Sequence, residues 1–331
     1  MFKRIISAAC AVVSSVTLTA CSLTARDLQT VTHRIEIPPK MLFLGDSIAA
    51  GYGLEGYNKD DLYSCRSYAN ILADKYEKEL ADECGHKMVN RAKSGDTSAE
   101  LLELINSGEL DSDLADSDAV IISIGGNDLL GILFDLFNKV GYSPESGAFN
   151  YKNIDIFGAA DTFTSMDSQA NDALTGFEVN MKHIAEAISS RTDGTVYVQT
   201  LYDPLEYITQ IPKLADFSAE KIGRLNDIIR EHSAGNYVVV DVASKFAGQA
   251  EVVTNIKDFD IHPNYLGHQL IADEIDNAFC ETGFTYTTEE YGDEYITREG
   301  YIAIIGGIIL AVTALTVPVI LVGRAVGKKR K

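Results

Sequence analysis

A serine follows an apolar run near the start of the chain. The apolar run is Met41–Leu44, and Gly45, Asp46 and Ser47 come directly after it. This pattern predicts a buried strand that ends in a tight turn, and the small residues after it predict a helix. Backbone N–H groups at a helix N-terminus can face the negative charge that develops when a serine attacks a carbonyl carbon. The alternative is that Ser47 only caps the helix.

Residues that could assist such a serine occur in three later segments. Gly95 follows a short strand pattern, and Asn127 follows the buried-strand pattern Ala119–Ile124. Asp260 lies two residues before His262, near the end of the soluble part. A serine hydroxyl needs an adjacent base, for which histidine is suited, and an aspartate can orient that histidine. The Asn127 amide and the glycine backbone can donate hydrogen bonds to an oxyanion without adding charge.

Taken together and in this order, the four segments resemble the motifs of the SGNH (GDSL-type) hydrolase family of esterases and acylhydrolases. The resemblance covers about Leu42–Phe279. It implies that Ser47 is the nucleophile and that His262 is the general base. It also implies an oxyanion hole formed by the Ser47 N–H, the Gly95 N–H and the side-chain amide of Asn127.

The acid that orients the histidine is the one role that the resemblance leaves open. In the family an acid lies three residues before the histidine, and Phe259 occupies that position here. We assign the role to Asp260, with Asp258 and a backbone carbonyl as the alternatives. Two other polar residues are expected to have structural roles: Asp128 as the cap of the next helix, and His268 as a packing residue at a helix start.

The soluble part of the chain is strongly acidic. All 48 acidic residues of the 331-residue chain lie between Arg26 and Gly300, together with 21 of the 28 basic residues, so this part has a formal charge of −27. Such a surface repels nucleic acid, which we therefore exclude as a partner. The sequence contains no CxxC or HExxH pattern, and we expect no metal and no other cofactor.

The N-terminal residues 1–25 have the pattern of a secretory signal peptide. Lys3 and Arg4 precede the apolar stretch Ile5–Ala20. The segment Leu18–Cys21 also resembles a bacterial lipobox, which would leave a lipidated Cys21. The alternative is ordinary cleavage after a small residue.

The other end of the chain has the pattern of a membrane anchor. Residues 301–323 contain no charge and are long enough to span a bilayer, while a helix buried in a soluble core is the alternative. The basic residues of 324–331 predict a cytoplasmic tail, which leaves the rest of the chain outside the cell membrane. Between the soluble domain and this helix, residues 281–300 are acidic and predict a stalk.

The middle of the chain alternates short apolar runs with amphipathic helical patterns, which predicts a parallel sheet between two layers of helices. We therefore expect an α/β fold, a three-layer αβα sandwich of the SGNH or flavodoxin-like type, over residues 41–280 after a leader over 26–40. Residues 131–175 are predicted to be an insertion, either a lid or acyl-binding wall or an ordinary surface insertion. The predicted strands are Met41–Leu44, Met88–Asn90, Ile121–Ile124, Val196–Thr200 and Tyr237–Val240, and the predicted helices are Ser67–Leu80, Thr97–Ile105, Gly176–Ser189, Ala219–Arg230 and Leu270–Phe279.

Two cysteines flank the first of these helices. Cys65 lies just before Ser67–Leu80 and Cys84 lies just after it. A disulfide between them would tie the ends of the helix to the loop after Ser47, and an oxidising compartment outside the cell permits such a bond.

The sequence thus predicts a membrane-anchored, outward-facing serine esterase that acts through an acyl-enzyme. The resemblance implies a small-molecule, lipid or glycan ester as the substrate, and a carbohydrate O-acetyl esterase is the narrower alternative. A non-catalytic binding domain with the same fold is the alternative from another class. It is disfavoured because a binding module has no need for Ser47, Gly95, Asn127 and His262 together.

Overall fold

The computed structural model describes residues 23–80, 87–139, 142–143, 148–149, 156–207, 212–258 and 260–328. The chain forms two compact units, one over Arg34–Tyr286 and the other made of Met1–His33 and Thr287–Lys331. The strands are β1 Thr24–Ala25, β2 Leu28–Ile35, β3 Lys40–Gly45, β4 Lys87–Asn90, β5 Ala119–Ser123, β6 Tyr142–Ser143, β7 Ala148–Phe149, β8 Thr195–Gln199, β9 Val238–Val240, β10 Phe284–Tyr291 and β11 Tyr295–Ile296.

Helices connect the strands of the larger unit, and a further helix belongs to the smaller one. The helices are α1 Ser47–Ala50, α2 Tyr68–Leu80, α3 Ser98–Ser107, α4 Asp111–Ala115, α5 Gly126–Lys139, α6 Ile156–Ser189, α7 Pro212–Glu231, α8 Val242–Phe246, α9 Ala250–Val253, α10 Tyr265–Thr282 and α11 Arg298–Lys328. A short 3₁₀ helix, Ile256–Asp258, lies between α9 and α10.

The larger unit is built around a parallel sheet in the order β4-β3-β5-β8-β9. Side chains alternate between the two faces of a strand, so neighbouring residues of β3 contribute to different cores. Leu42 and Leu44 pack with residues of α3, α6 and α7, whereas Met41 and Phe43 pack with residues of α2 and α10. The prediction of a three-layer αβα sandwich with a central parallel sheet is therefore confirmed.

One predicted helix begins much earlier than expected. We placed its start at Gly176 because glycine, serine and asparagine are scattered through the preceding residues, but α6 begins at Ile156. Met166, Ala170 and Leu174 are buried, and their spacing continues the apolar face of the later turns. Tertiary packing thus overrides weak helix propensity here. Much of the predicted insertion over 131–175 is consequently helical, and its interpretation as a lid stays a prediction.

In the smaller unit, strands from the N-terminal part of the chain pair with strands from the predicted stalk. Strand β1 pairs antiparallel with β11, with Thr24 opposite Ile296, and β2 pairs with β10. Helix α11 follows, and its segment Arg298–Pro318 has a mean hydropathy of 2.2. By length and composition this segment could cross a membrane. The predicted signal peptide and lipobox lie almost entirely in residues 1–22, outside the described residues.

Candidate active site

The turn after β3 places Ser47 at the carboxyl edge of the sheet. Gly45 adopts a φ of +121°, and a side chain on it would begin 1.8 Å from the carbonyl oxygen of Ser123 in β5. Any other residue would place its Cβ against this oxygen in an unfavourable backbone conformation, so the position requires glycine. The Asp46 N–H donates to that same oxygen at 3.0 Å, and the Asp46 carboxylate caps α1 by accepting from the Ile48 N–H. Asp46 is therefore the cap, and Ser47 is the first residue of the helix.

In the structure, two consecutive hydrogen bonds join the side chains of Ser47, His262 and Asp260. The Ser47 Oγ lies 2.9 Å from His262 Nε2, and His262 Nδ1 lies 2.5 Å from Asp260 Oδ1. Burial by itself would raise the pKa of Asp260, but hydrogen bonds from His262 outweigh it and hold that pKa below its ordinary value. An ionised Asp260 accepts a hydrogen bond from the Nδ1–H of His262, which leaves Nε2 unprotonated and able to receive the proton of the serine hydroxyl.

The loop that carries His262 is held by a residue that sequence reasoning missed. The Asn255 N–H donates to the His262 carbonyl at 2.9 Å, and the Asn255 carbonyl accepts from the Asp260 N–H at 3.3 Å. Asp258, the alternative acid, is exposed, and its own N–H donates to the same carbonyl at 2.8 Å. Phe259 lies outside the described residues. No sequence motif marks Asn255, because its role depends only on how the loop folds.

The two other predicted oxyanion donors lie at this edge, Gly95 in the loop after β4 and Asn127 in the first turn of α5. Gly95 has a φ of +97°, and nothing lies within 4 Å of the place where a side chain would begin. The Asn127 side chain donates from Nδ2 to the Asp96 carbonyl at 2.9 Å. An amide nitrogen carries two protons, so this bond fixes the orientation of the amide and leaves the second N–H available.

The sequence predicted that Asp128 caps the next helix, but Asp128 is the third residue of α5 and so lies past the cap position. Its carboxylate instead accepts from the backbone N–H of Ser98 at 2.9 Å and from the Ser98 hydroxyl at 2.5 Å. Ser98 is the first residue of α3, so the contact links the starts of α3 and α5. The Asn180 side chain of α6 also donates to the Ser98 hydroxyl, at 2.9 Å.

Two further titratable groups are buried near the site. Burial raises the pKa of Asp46 to about 7, although bonds from Ile48 and Ser123 favour its charged form. Burial lowers the pKa of His268 to about 3, so this ring is neutral, and its Nδ1 accepts from the Tyr68 N–H at 3.2 Å. His268 therefore has the packing role expected of it.

An apolar pocket that is partly open to solvent adjoins Ser47, Asn127 and His262. Its walls come from α5, α7 and the loops after β8 and before α10. The apolar residues that line it include Leu129, Leu130, Leu201, Pro204, Ile222 and Ile261.

The remaining predictions for this region concern metals and cysteines. Among the described residues, no group of three or more metal-binding side chains is arranged to hold an ion. Cys65 is buried, and burial raises the pKa of its thiol group. Its predicted partner Cys84 lies outside the described residues, so their disulfide stays a prediction.

Comparison with solved structures supports the fold. A lipase from a goat rumen metagenome matches with a TM-score of 0.52 and 20% identity, over 72% of this chain and 96% of the lipase. An extracellular lipase from Streptomyces rimosus matches with a TM-score of 0.52 and 19% identity, over 72% of this chain and 99% of the lipase. These likenesses show the fold alone. No curated protein sequence matches significantly.

Family membership follows from the sequence itself. The family model described as GDSL-like lipase/acylhydrolase matches residues 43–270. That span is more than half of the chain, and it contains all four motif segments. The family consists of ester hydrolases, and the chain belongs to the GDSL-like lipase/acylhydrolase family.

Proposed function

We propose that this protein is a membrane-anchored serine esterase whose active site lies outside the cytoplasm. Ser47 is the nucleophile, His262 the general base and Asp260 the residue that orients the histidine. The observation that carries the proposal is the row of hydrogen bonds of 2.9 Å and 2.5 Å that joins these three side chains. A serine hydroxyl in that arrangement can lose its proton as it attacks.

The reaction begins with attack of the Ser47 Oγ on the carbonyl carbon of the ester. The hydroxyl proton moves to His262 Nε2, and the carbonyl oxygen becomes an oxyanion that the Ser47 N–H, the Gly95 N–H and the Asn127 amide stabilise. When the C–O bond to the alcohol breaks, His262 gives its proton to the departing alcohol. Water then repeats the attack on the acyl-enzyme with His262 as base, which releases the acid and restores Ser47.

The proposal of a membrane anchor is supported by the sequences at the two ends of the chain. The apolar segment Arg298–Pro318 could cross a bilayer, and basic residues follow at 324–331. The positive-inside rule then places the tail in the cytoplasm and the esterase unit outside, which agrees with a signal peptide over 1–25.

A fluorophosphonate probe, which labels activated serines covalently, tests the chemistry. We expect the wild-type protein to be labelled and to hydrolyse chromogenic esters. Ser47→Ala should abolish both, while Ser190→Ala, which removes an exposed hydroxyl in another part of the unit, should leave both unchanged. Near-normal hydrolysis by a folded Ser47→Ala variant would contradict the proposal.

A further inference from the structure

One side of the His262 ring is covered by an aromatic side chain. The ring centroids of Tyr52 and His262 lie 4.6 Å apart, and the two ring planes are tilted by 55°. Tyr57 packs edge-on against Tyr52, with 5.3 Å between the ring centroids. Tyr52 is 43% exposed, whereas the side chain of His262 is only 15% exposed. The tyrosine ring therefore shields the imidazole from part of the solvent.

Backbone contacts of the turn that carries Tyr52 join the nucleophile to the histidine loop. The Tyr52 N–H donates to the Ser47 carbonyl at 2.9 Å, which closes the turn onto α1. The next residue, Gly53, packs so closely that a Cβ on it would begin 3.2 Å from the Cβ of His262. The Gly53 carbonyl also accepts from Asn255 Nδ2 at 3.3 Å. The backbone of Tyr52 is thus fixed to the nucleophile on one side and to the histidine loop on the other.

In the proposed mechanism, the imidazole of His262 becomes a cation in the transition state. The proton that the Ser47 hydroxyl loses moves to Nε2, while Nδ1 keeps its own proton. The face of an aromatic ring has a negative potential and attracts a cation within about 6 Å of its centroid. Tyr52 lies within this distance. Because the attraction is stronger for the charged imidazole than for the neutral one, it favours the transition state over the ground state.

The other titratable groups that act on His262 come from three segments. Asp260, on the same loop, accepts from Nδ1, and Asp46 at the start of α1 attracts a protonated His262 when it is ionised. His268 of α10 would repel it, but burial lowers the pKa of His268 to about 3 and keeps that ring neutral. These groups are the same whichever side chain follows Gly51. Substitution of Tyr52 therefore isolates the contribution of the aromatic ring.

We propose that Tyr52 is a positioning residue that stabilises the protonated form of His262 through a cation–π contact and keeps the imidazole directed at Ser47. This inference rests on the proposed function. The packing of the two rings carries it, and the backbone contacts of Tyr52 and Gly53 hold the tyrosine in place. A space-filling role would require only volume at this position, whereas the proposal requires the electrons of an aromatic face.

Two substitutions of Tyr52 separate the aromatic face from apolar bulk. Tyr52→Phe keeps the ring, so kcat for p-nitrophenyl butyrate should stay within about twofold of wild type. Tyr52→Leu keeps apolar bulk without the ring, and it should lower kcat and kcat/KM by a similar factor of about three to thirty. Tyr63→Leu is the matched control, because Tyr63 lies in the same loop and is 56% exposed, and its rates should equal those of wild type.

The pH profile gives a readout that a space-filling role would not change. A base whose protonated form is less stabilised loses its proton at lower pH. The acidic limb of the kcat/KM profile of Tyr52→Leu should therefore lie at lower pH than that of wild type, by about 0.5 or more. The limb of Tyr52→Phe should coincide with that of wild type. Asp46 also titrates near neutral pH, but it does so in every variant, so the comparison between variants removes its effect.

Ring fluorination tests the cation–π contact with little change in shape. Phenylalanine with zero, one, two or three ring fluorines would replace Tyr52, because each fluorine withdraws electrons from the ring face. The logarithm of kcat should fall steadily with the number of fluorines. If Tyr52→Leu does not fold, this series decides the question by itself.

The outcomes separate this inference from the proposed function. Wild-type rates and an unchanged pH profile in Tyr52→Leu, with Ser47-dependent probe labelling intact, would overturn the inference and leave the esterase standing. Rates that do not change across the fluorinated series would leave Tyr52 with a space-filling role only, which also overturns it. Absence of labelling and hydrolysis in the wild-type protein would overturn the proposed function itself.

Discussion

Asp128 and Ser98 are joined by two hydrogen bonds, one from the Ser98 N–H at 2.9 Å and one from its hydroxyl at 2.5 Å. Each residue lies close to a proposed oxyanion donor: Asn127 directly precedes Asp128, and Gly95 lies three residues before Ser98. Because the pair ties the start of α3 to the start of α5, it sets the distance between the two donors. We therefore regard Asp128 as a positioning residue for the oxyanion hole.

Asp128→Asn should lower kcat by about tenfold to a hundredfold with little change in KM, because the amide cannot accept both bonds and the donors lose their alignment. Steady-state kinetics measure kcat and KM separately. Ser98→Ala, which keeps the backbone bond, should have a smaller effect. Asp111→Asn, at an exposed ion pair with Arg191, is the control for loss of a surface carboxylate. Equal kcat values in wild type and a folded Asp128→Asn variant would contradict this role.

The partner of His262 can be identified by comparing two aspartates. Asp260→Asn should lower kcat by roughly a thousandfold or more, because the amide no longer holds the imidazole in the productive tautomer. Asp258→Asn should change kcat by less than about threefold, because this exposed side chain faces solvent. The opposite ranking would transfer the role to Asp258, and near-normal rates in both variants would point to a backbone carbonyl.

Burial of Asp46 predicts a pH-dependent contribution to stability. Its pKa is about 7 in the folded protein against an ordinary value of 3.8, so between these values the folded state keeps a proton that the unfolded state has lost. Raising the pH through this window therefore lowers stability. Asp46→Asn keeps a side-chain oxygen that can cap α1 but cannot ionise. The variant therefore does not lose stability as the pH rises through this window. The free energy of unfolding of the variant, measured relative to wild type in urea, should rise between about pH 5 and about pH 8.

Asp116 serves as the control, because its pKa is shifted in the opposite direction to that of Asp46. Hydrogen bonds from Lys40 and Lys87 lower its pKa to about 2, so its contribution is present at neutral pH and is lost as the pH falls below about 4. The difference between wild type and Asp116→Asn should therefore stay constant over the window in which the Asp46 difference changes. If the Asp46→Asn difference also stays constant there, the folded pKa of Asp46 is not raised as described.

The membrane anchor can be tested by truncation. Removing residues 298–331, which include all of α11, should release esterase activity into the medium, provided that Cys21 is not lipidated. If the truncated protein stays with the membrane fraction and a further Cys21→Ser change releases it, the chain is anchored at both ends. Activity that remains in the cytoplasm of intact cells would overturn the proposed orientation.

The sequence was sufficient to predict the strands of the sheet and the residues that meet at its carboxyl edge. Each strand of the sheet is a short apolar run, and Ser47, Gly95, Asn127 and His262 follow such runs or lie in a recognisable motif. Local patterns predict these features because strand ends of a parallel sheet gather at one edge.

The supporting contacts could not be predicted in this way. Ser98 and Asp128 are separated by 30 positions, and their bond exists only because α3 and α5 start side by side. Asn255 acts through backbone bonds and through side-chain bonds to the Gly53 carbonyl and to Asp260, and no local sequence pattern marks these contacts. The early start of α6 depends on burial of Met166 and Ala170 against other helices. All three features are consequences of tertiary packing and not of local propensity.

The most direct test of the account is to trap the acyl-enzyme. The protein would be quenched in acid during turnover of p-nitrophenyl butyrate, digested and analysed by mass spectrometry, with His262→Ala as a control that should not acylate. We predict that the peptide containing Ser47 gains the mass of one butanoyl group and that fragmentation places it on the serine hydroxyl. Turnover with the acyl group on another residue, or with none on Ser47, would contradict the central claim.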